Sequence, residues 1–320
     1  MGLSRGEIVK IAAAEAGRLL IRHKPSYTKP IDIFKIIEDN KIILNFQKLD
    51  NLAGAYIPET YSNRPGILIN ESLPLTRQRY TAAHELCHFI RKDPPSLDTS
   101  SELFMDRYKR EEKEQIAEEF ASSILMPRRL INNILKQIDV ATKESITPFI
   151  VYELSLRMDT SYQATVNRLA SLKIIRPEQY LALLKLSPKD IKECYGKDGL
   201  ETNWNNIWNL TEQDNNNIIY PVLGDEVRIR LKENPSTGYK WLNIPGIESV
   251  TTKWESSSEG IMGAGGTRCI KIKIRKLEEI KLELFYNRPW LSNSHSINKF
   301  NINIITQCKR HGISLEQLIA

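Results

Sequence analysis

The sequence predicts an α+β protein in two parts: a helix-rich N-terminal region built round one short sheet, then an all-β sandwich. Three observations predict it. Apolar residues recur at helical spacing in successive segments up to about Tyr195, broken only by three short strand-like runs. A His-Glu-x-x-His pentad, His84-Glu85-Leu86-Cys87-His88, sits inside one of those helical segments. Beyond residue 217 the period changes to two, as in Val227-Arg228-Ile229-Arg230-Leu231 and Ile270-Lys271-Ile272-Lys273-Ile274.

Taken in order, Ser4 to His23 reads as an amphipathic helix through Ile8, Ile11, Ala12, Ala14, Leu19 and Leu20, with Pro25 barring its continuation. Ile31 to Asp39 reads as a second helix. Lys41–Phe46, Ala53–Ile57 and Gly66–Asn70 read as strands, the last after a Pro65-Gly66 turn. The pentad helix is expected over Leu75–Ile90. After Pro94-Pro95 another helix is expected over Leu103–Leu125, ended by Met126-Pro127 because proline disfavours helix in its predecessor. Arg128–Tyr195 reads as helical, and Asp159 to Leu169 looks like the second half of a helix-turn-helix. Gly196–Asn217 is rich in Asn, Gly and Asp and reads as a linker. Strands are then expected at Tyr220–Leu223, Glu226–Leu231, Cys269–Ile274, Ile280–Tyr286 and Phe300–Ile305. This gives the divisions 1–127, 128–195, 196–216, 217–308 and a tail at 309–320.

The pentad carries the chemistry. On a helix, residues i and i+4 share a face, so His84 and His88 can present two imidazoles to one metal. Glu85, one step round, is placed to act as the base that deprotonates an attacking water. A catalytic zinc takes three protein ligands and keeps one position open. The third is sought on the helix of residues 111–125, whose apolar face is Ile116, Ala117, Phe120, Ala121, Ile124 and Leu125. At about 100° per residue, Glu114 lies roughly 70° from the centre of that face, Glu118 roughly 110° and Glu119 well outside it. Glu114 is the first choice and Glu118 the second.

Composition sets the bounds. With 320 residues, 41% hydrophobic, two or three domains with real cores are expected. No run of about 18 apolar residues exists to span a membrane. Glu7, Lys10 and Glu15 interrupt any signal-peptide core, so a cytoplasmic protein is expected. A net charge of +6 is mild for this length, and the densest charge run, residues 107–113, mixes both signs, so it reads as a solvated helix face. Direct nucleic-acid binding and membrane association are not expected. Cys87, Cys194, Cys269 and Cys308 form no Cys-x-x-Cys pair and read as reduced thiols. Cys87 reads as a small core side chain, the sharper alternative being a redox-sensitive thiol beside the metal.

Gly54 and Tyr56, Ile67-Leu68-Ile69-Asn70, Arg77-Gln78-Arg79-Tyr80-Thr81, the pentad, and Glu114-x-x-Ala117-x-x-Phe120-Ala121-x-x-Ile124-Leu125-Met126-Pro127 form a set of motifs. Through them residues 5–180 resemble the ImmA/IrrE family of metallopeptidases. The resemblance implies a zincin-like core with Zn2+ held by His84, His88 and Glu114, and Glu85 as catalytic base. It also implies a helix-turn-helix-like segment after Met126-Pro127, and a substrate that is a helix-turn-helix repressor, whose cleavage switches on stress genes. The sequence departs from the family at Cys87, where a small residue is usual, and at Glu118, where asparagine is. Glu118 is read as facing water. An extended substrate is expected to pair with an edge strand near Gly66–Asn70.

Three loops mark the β region: Asn234-Pro235-Ser236-Thr237-Gly238-Tyr239, Gly263-Ala264-Gly265-Gly266-Thr267 and Arg288-Pro289-Trp290. With Gly224-Asp225-Glu226 they resemble the chagasin family of cysteine-protease inhibitors over residues 217–306. That resemblance implies an immunoglobulin-like sandwich whose loops enter the cleft of papain-like proteases, through Asn234, Pro235, Thr237, Gly238, Tyr239, Gly265, Gly266, Arg288, Pro289 and Trp290. The module would inhibit a foreign protease, sense one and so activate the peptidase, or hold the peptidase's substrate. The rival to an enzyme is a non-catalytic sensor whose sandwich captures a protease. An intact Glu85 argues against it.

Overall fold

The computed structural model describes residues 2–60, 64–93, 98–99, 111–196, 202, 205–243, 250–256, 265–291 and 296–313. In chain order its helices are α1 (Arg5–His23), α2 (Ile33–Asp39), α3 (Leu75–Arg91), α4 (Glu112–Leu125), α5 (Arg128–Gln137), α6 (Pro148–Met158), α7 (Tyr162–Ser171), α8 (Pro177–Leu184) and α9 (Pro188–Cys194). Its strands are β1 (Ile43–Gln47), β2 (Leu52–Ile57), β3 (Gly66–Asn70), β4 (Asp98–Thr99), β5 (Ile207–Leu210), β6 (Asn217–Ile219), β7 (Glu226–Glu233), β8 (Lys240–Asn243), β9 (Val250–Ser256), β10 (Gly266–Lys273), β11 (Glu279–Asn287), β12 (Asn298–Ile305) and β13 (Gly312–Ile313). They divide into two compact units. The first is Met1–Asn133 with Met158–Leu181 and Lys309–Ala320; the second is Ile134–Arg157 with Ala182–Cys308.

In the first unit, Ser4 opens α1 with a capping box closed by Glu7. The sheet runs β13-β1-β3-β2-β4, with β1 and β3 parallel and every other pair antiparallel. Leu44 and Phe46 of β1 and Ile67 and Ile69 of β3 are buried, and Phe34 of α2 meets Phe46 edge-on at 5.4 Å. Helix α3 lies on β2 and β3, and α4 packs against α1, α3 and α7. Because β3 has β1 on one side and β2 on the other, both its hydrogen-bonding edges are used. The expected pairing of substrate near Gly66–Asn70 is therefore corrected. The expected helix from Leu103 begins at Glu112, after a non-helical Glu111; residues 103–110 lie outside the described residues.

The second unit is a two-sheet sandwich, β5-β7-β10-β9 on β6-β12-β11-β8. Val227, Ile229, Leu231, Ile270 and Ile272 face Leu282, Leu284, Phe300, Ile302 and Ile304 across one core, with Trp208 and Leu210 of β5 among them. Strand β5 lies inside the stretch read as a linker. It pairs parallel to β7, and on its far side α6 supplies the missing partners: Ile207 N–H donates to the Tyr152 hydroxyl (3.1 Å) and Asn209 N–H to Glu153 Oε1 (3.2 Å). Asp225 fastens the same strand, accepting from Asn206 N–H (2.7 Å), Trp208 Nε1 (3.0 Å) and Val222 N–H (3.1 Å). Gly224 precedes it at φ 88°, and a Cβ there would lie 2.2 Å from Asn205 Nδ2. The expected strand at Tyr220–Leu223 is instead β6 ending at Ile219, since Pro221 has no N–H to donate. The tail read at 309–320 contains β13.

Candidate functional site

The pentad sits in the second half of α3, on its buried side; His84, Glu85 and His88 are 4%, 1% and 1% exposed. The helix ends where Lys92 turns left-handed at φ 55°, and Asp93 N–H then bonds back to His88 O at 3.0 Å. That turn carries the Asp93 carboxylate under His88, 3.0 Å from Nδ1. His88 therefore points Nε2 the other way, towards His84.

Three ligand atoms meet there. His84 Nε2 lies 3.1 Å from His88 Nε2 and 3.1 Å from Glu114 Oε2, and His88 Nε2 lies 3.5 Å from the same oxygen. Donors about 2.0–2.2 Å from a tetrahedral ion stand about 3.3–3.5 Å apart, so these three edges fit one zinc-sized ion. The electrostatics agree. Two ring nitrogens facing each other beside a carboxylate call for a positive charge between them. Burial pulls the His88 pKa down, but its hydrogen bonds with Glu114 and Asp93 bring the net shift above the ordinary value. Burial raises the Glu114 carboxyl, yet hydrogen bonds to both histidines outweigh it and hold the group well below the usual carboxylate range. Glu114 Oε1 is buried with no hydrogen-bond partner in the protein. The donor set suits a metal, and His84, His88 and Glu114 are the residues that could hold it.

Around them the structure corrects several expectations. Glu118 is buried rather than facing water, and Glu119, which the helical phase puts outside, is 3% exposed and lies 3.5 Å from the Arg168 guanidinium. The phase argument allowed α4 one buried face; α1, α3 and α7 together cover more than one. Arg168 also donates to Met126 O at 3.0 Å, so this cation of the helix-turn-helix-like segment is used internally. Cys87 is fully buried and burial pushes its thiol pKa up, which makes it a packing side chain and a poor nucleophile. Gly54 lets β2 approach α3: a Cβ there would lie 2.5 Å from Thr81 Cγ2 and 3.6 Å from Glu85 Cγ. Asp93 is the site residue that sequence reasoning missed. A carboxylate five residues after the second histidine, past the end of the helix, was the available signal.

In the sandwich, Asn234 caps the short turn Pro235–Thr237 by accepting from Ser236 N–H (3.2 Å), and Gly238 closes it at φ 77°. The Arg288 guanidinium lies over the Tyr239 ring at 4.9 Å, and a Cβ on Gly238 would come 3.3 Å from the Trp290 ring. The first and third loops are thus in contact, and Trp290 is 70% exposed. Gly266 opens β10 opposite Glu233, the residue before Asn234, which puts the end of the second loop, with Gly265, beside the first. Residues 257–264 of that loop lie outside the described residues. Below the loops Glu233 accepts from Trp241 N–H (2.9 Å) and from Arg268. Tyr286 stacks on Trp241 at 5.1 Å and accepts from Asn234 N–H at 3.0 Å. Pro289 lies between Arg288 and Trp290 in a turn closed by Leu291 N–H on Arg288 O at 2.9 Å.

Comparison with known proteins separates the same two regions. Residues 37–170 match the IrrE N-terminal-like domain, and residues 222–304 match the chagasin family of peptidase inhibitors. Amoebiasin-1 of Entamoeba histolytica is 37% identical over 27% of this chain and 87% of its own. The radiation response metalloprotease IrrE of Deinococcus deserti is 33% identical over 40% of this chain and 43% of its own, so the chain spans less than half of that relative. The solution structure of amebosin is 34% identical over 32% of this chain and 98% of its own, with a TM-score of 0.28. Through its C-terminal region the chain belongs to the chagasin family of peptidase inhibitors, joined to an IrrE-like metallopeptidase domain.

Proposed function

We propose that the chain is a zinc-dependent endopeptidase that cuts a helix-turn-helix repressor at a specific site, and that its chagasin-like loops grip a papain-like cysteine protease. The convergence of His84 Nε2, His88 Nε2 and Glu114 Oε2, with Glu85 between the two histidines on the same helix, carries the peptidase reading. Zinc, when bound by these three residues, supplies a Lewis acid that polarises the scissile carbonyl. Glu85 takes a proton from the attacking water and delivers it to the leaving amine. Asp93, accepting from His88 Nδ1–H, fixes the tautomer that leaves Nε2 free to bind metal.

The loops support the second half of the reading. A proline-fixed turn, an arginine stacked on a tyrosine and an exposed tryptophan form a preorganised anchor. The deciding experiment co-expresses the full chain with helix-turn-helix repressors. Glu85→Gln is expected to lower cleavage by about 10²–10⁴-fold while zinc stays bound. Equal cleavage by this variant would overturn the mechanism.

A further inference from the structure

Helix α3 starts at Pro74 without a side-chain cap, so its first turns are not held from their own N-terminus. They are held from the sides. On one side Arg79 donates to Ile31 O (2.8 Å) and pairs with Asp159 (3.1 Å). On the other, Gln78 is fully buried and meets a peptide from far along the chain. Its Nε2 donates to Arg310 O at 3.1 Å, and its Oε1 accepts from Arg310 N–H at 2.9 Å. A side-chain amide here pairs with a backbone peptide as a neighbouring strand would.

The same short segment also reaches α2, the turn into α3 and β1. The Arg310 guanidinium pairs with Glu38 of α2 at 3.1 Å and lies over the Phe34 ring at 4.6 Å. His311 Nδ1 is 3.2 Å from Glu71, in the turn that leads into α3. Gly312 and Ile313 pair with Phe46 and Asn45 of β1 as β13. Only Cys308 and Lys309 separate this segment from Gln307, whose N–H donates to Pro221 O in the sandwich at 2.8 Å.

We propose that residues 310–313 are a positioning strap for the metal helix: by clasping Gln78, six residues before His84, they set the placement of His84, Glu85 and His88. This rests on the reading of α3 as the metal helix of a peptidase, and assigns a role in that site to residues beyond the sandwich. A segment that only adds to the general stability of its unit would, when lost, loosen all of that unit equally. A positioning strap loosens α3 first.

Native-state hydrogen exchange separates the two, with zinc affinity measured by competition against a chromophoric chelator. The proteins are the full chain, full-length Gln78→Glu and Arg310→Ala, and a chain stopped after Cys308. Gln78→Glu removes the donor to Arg310 O, and Arg310→Ala removes the anchors on Glu38 and Phe34. In all three variants the amides of residues 81–88 are expected to exchange at least about tenfold faster, and zinc to bind about tenfold more weakly. Amides of β7 and β10 should stay within about twofold. A synthetic peptide of residues 309–320 should restore protection of α3 in the stopped chain, and a scrambled peptide should not. Unchanged exchange in α3, or an equal rise across α1, α3, α4 and β3, would overturn the proposal. If the stopped chain does not fold, the two full-length variants decide. Exchange and zinc binding are read without any cleavage, so absence of peptidase activity would count against the proposed function and leave the strap standing.

Discussion

The two units bury their polar groups for different ends. In the metallopeptidase-like unit, buried His84 and His88 and the half-buried Glu114 converge on one point, with Glu85 buried beside them on the same helix, so the candidate site is inside. In the sandwich, buried Asp225, Arg228, Glu153, Arg157 and Asp214 tie strands and helices together, while the loop candidates are half-buried or exposed, Trp290 at 70%. Hydrolysis needs charges held in fixed geometry away from bulk water. Blocking a cleft needs a rigid apolar projection. The same arithmetic of burial therefore places the two sites at opposite extremes of exposure.

Variants can sharpen that contrast. The largest effect is expected from Arg79→Met, which leaves Asp159 buried without its cation. Loss of about 3–5 kcal/mol is expected in the calorimetric transition of the first unit, with the sandwich transition unmoved. A loss in both transitions would break the distinction. Trp290→Ala should weaken inhibition of papain by the full chain by about 30-fold or more, with stability unchanged. Equal inhibition by this variant would remove the loops from the binding site.

Asp93→Asn should weaken zinc binding by about tenfold without moving the stability of the sandwich. A pH-dependent effect concerns Glu153. Burial drives its carboxyl up to about 7, against the pull of Arg157. A carboxyl whose folded pKa is raised holds its proton longer in the fold, so its contribution is present at low pH and declines as pH rises from about 4.5 to about 7. The stability of Glu153→Gln relative to the parent should therefore climb across that window. Parallel stability curves would show that Glu153 titrates normally.

Legibility followed burial too. The spacing of His84 and His88 on one face of α3 needed only helical periodicity, which also ranked Glu114 ahead of Glu118; the ImmA/IrrE resemblance then pointed to Glu114. Glu118 and Glu119 defeated the same periodicity because three helices surround α4, and no single-element pattern records its neighbours. Strand β5 was lost among asparagines. Its four residues, Ile207-Trp208-Asn209-Leu210, are too few to show a period, and the side chains that satisfy its outer edge come from Tyr152 and Glu153, more than fifty residues earlier. Strands β8 and β9 were missed as well. The loops were readable because their turns need Pro, Gly and Asn at fixed places, but the stacking of Arg288 on Tyr239 was not.

The clasp between Gln78 and Arg310 closes over 232 residues. Chains emerge from the ribosome at about 5–20 residues per second, so roughly 12–46 s separate synthesis of its two halves. Throughout that interval the pentad helix exists without its second lateral anchor; strand β12, which completes the sandwich, is made only just before Arg310. The order of synthesis thus acts as a timer. The helix that carries the pentad is made early, and its clasp on Gln78 can close only once the chain has been made as far as Arg310.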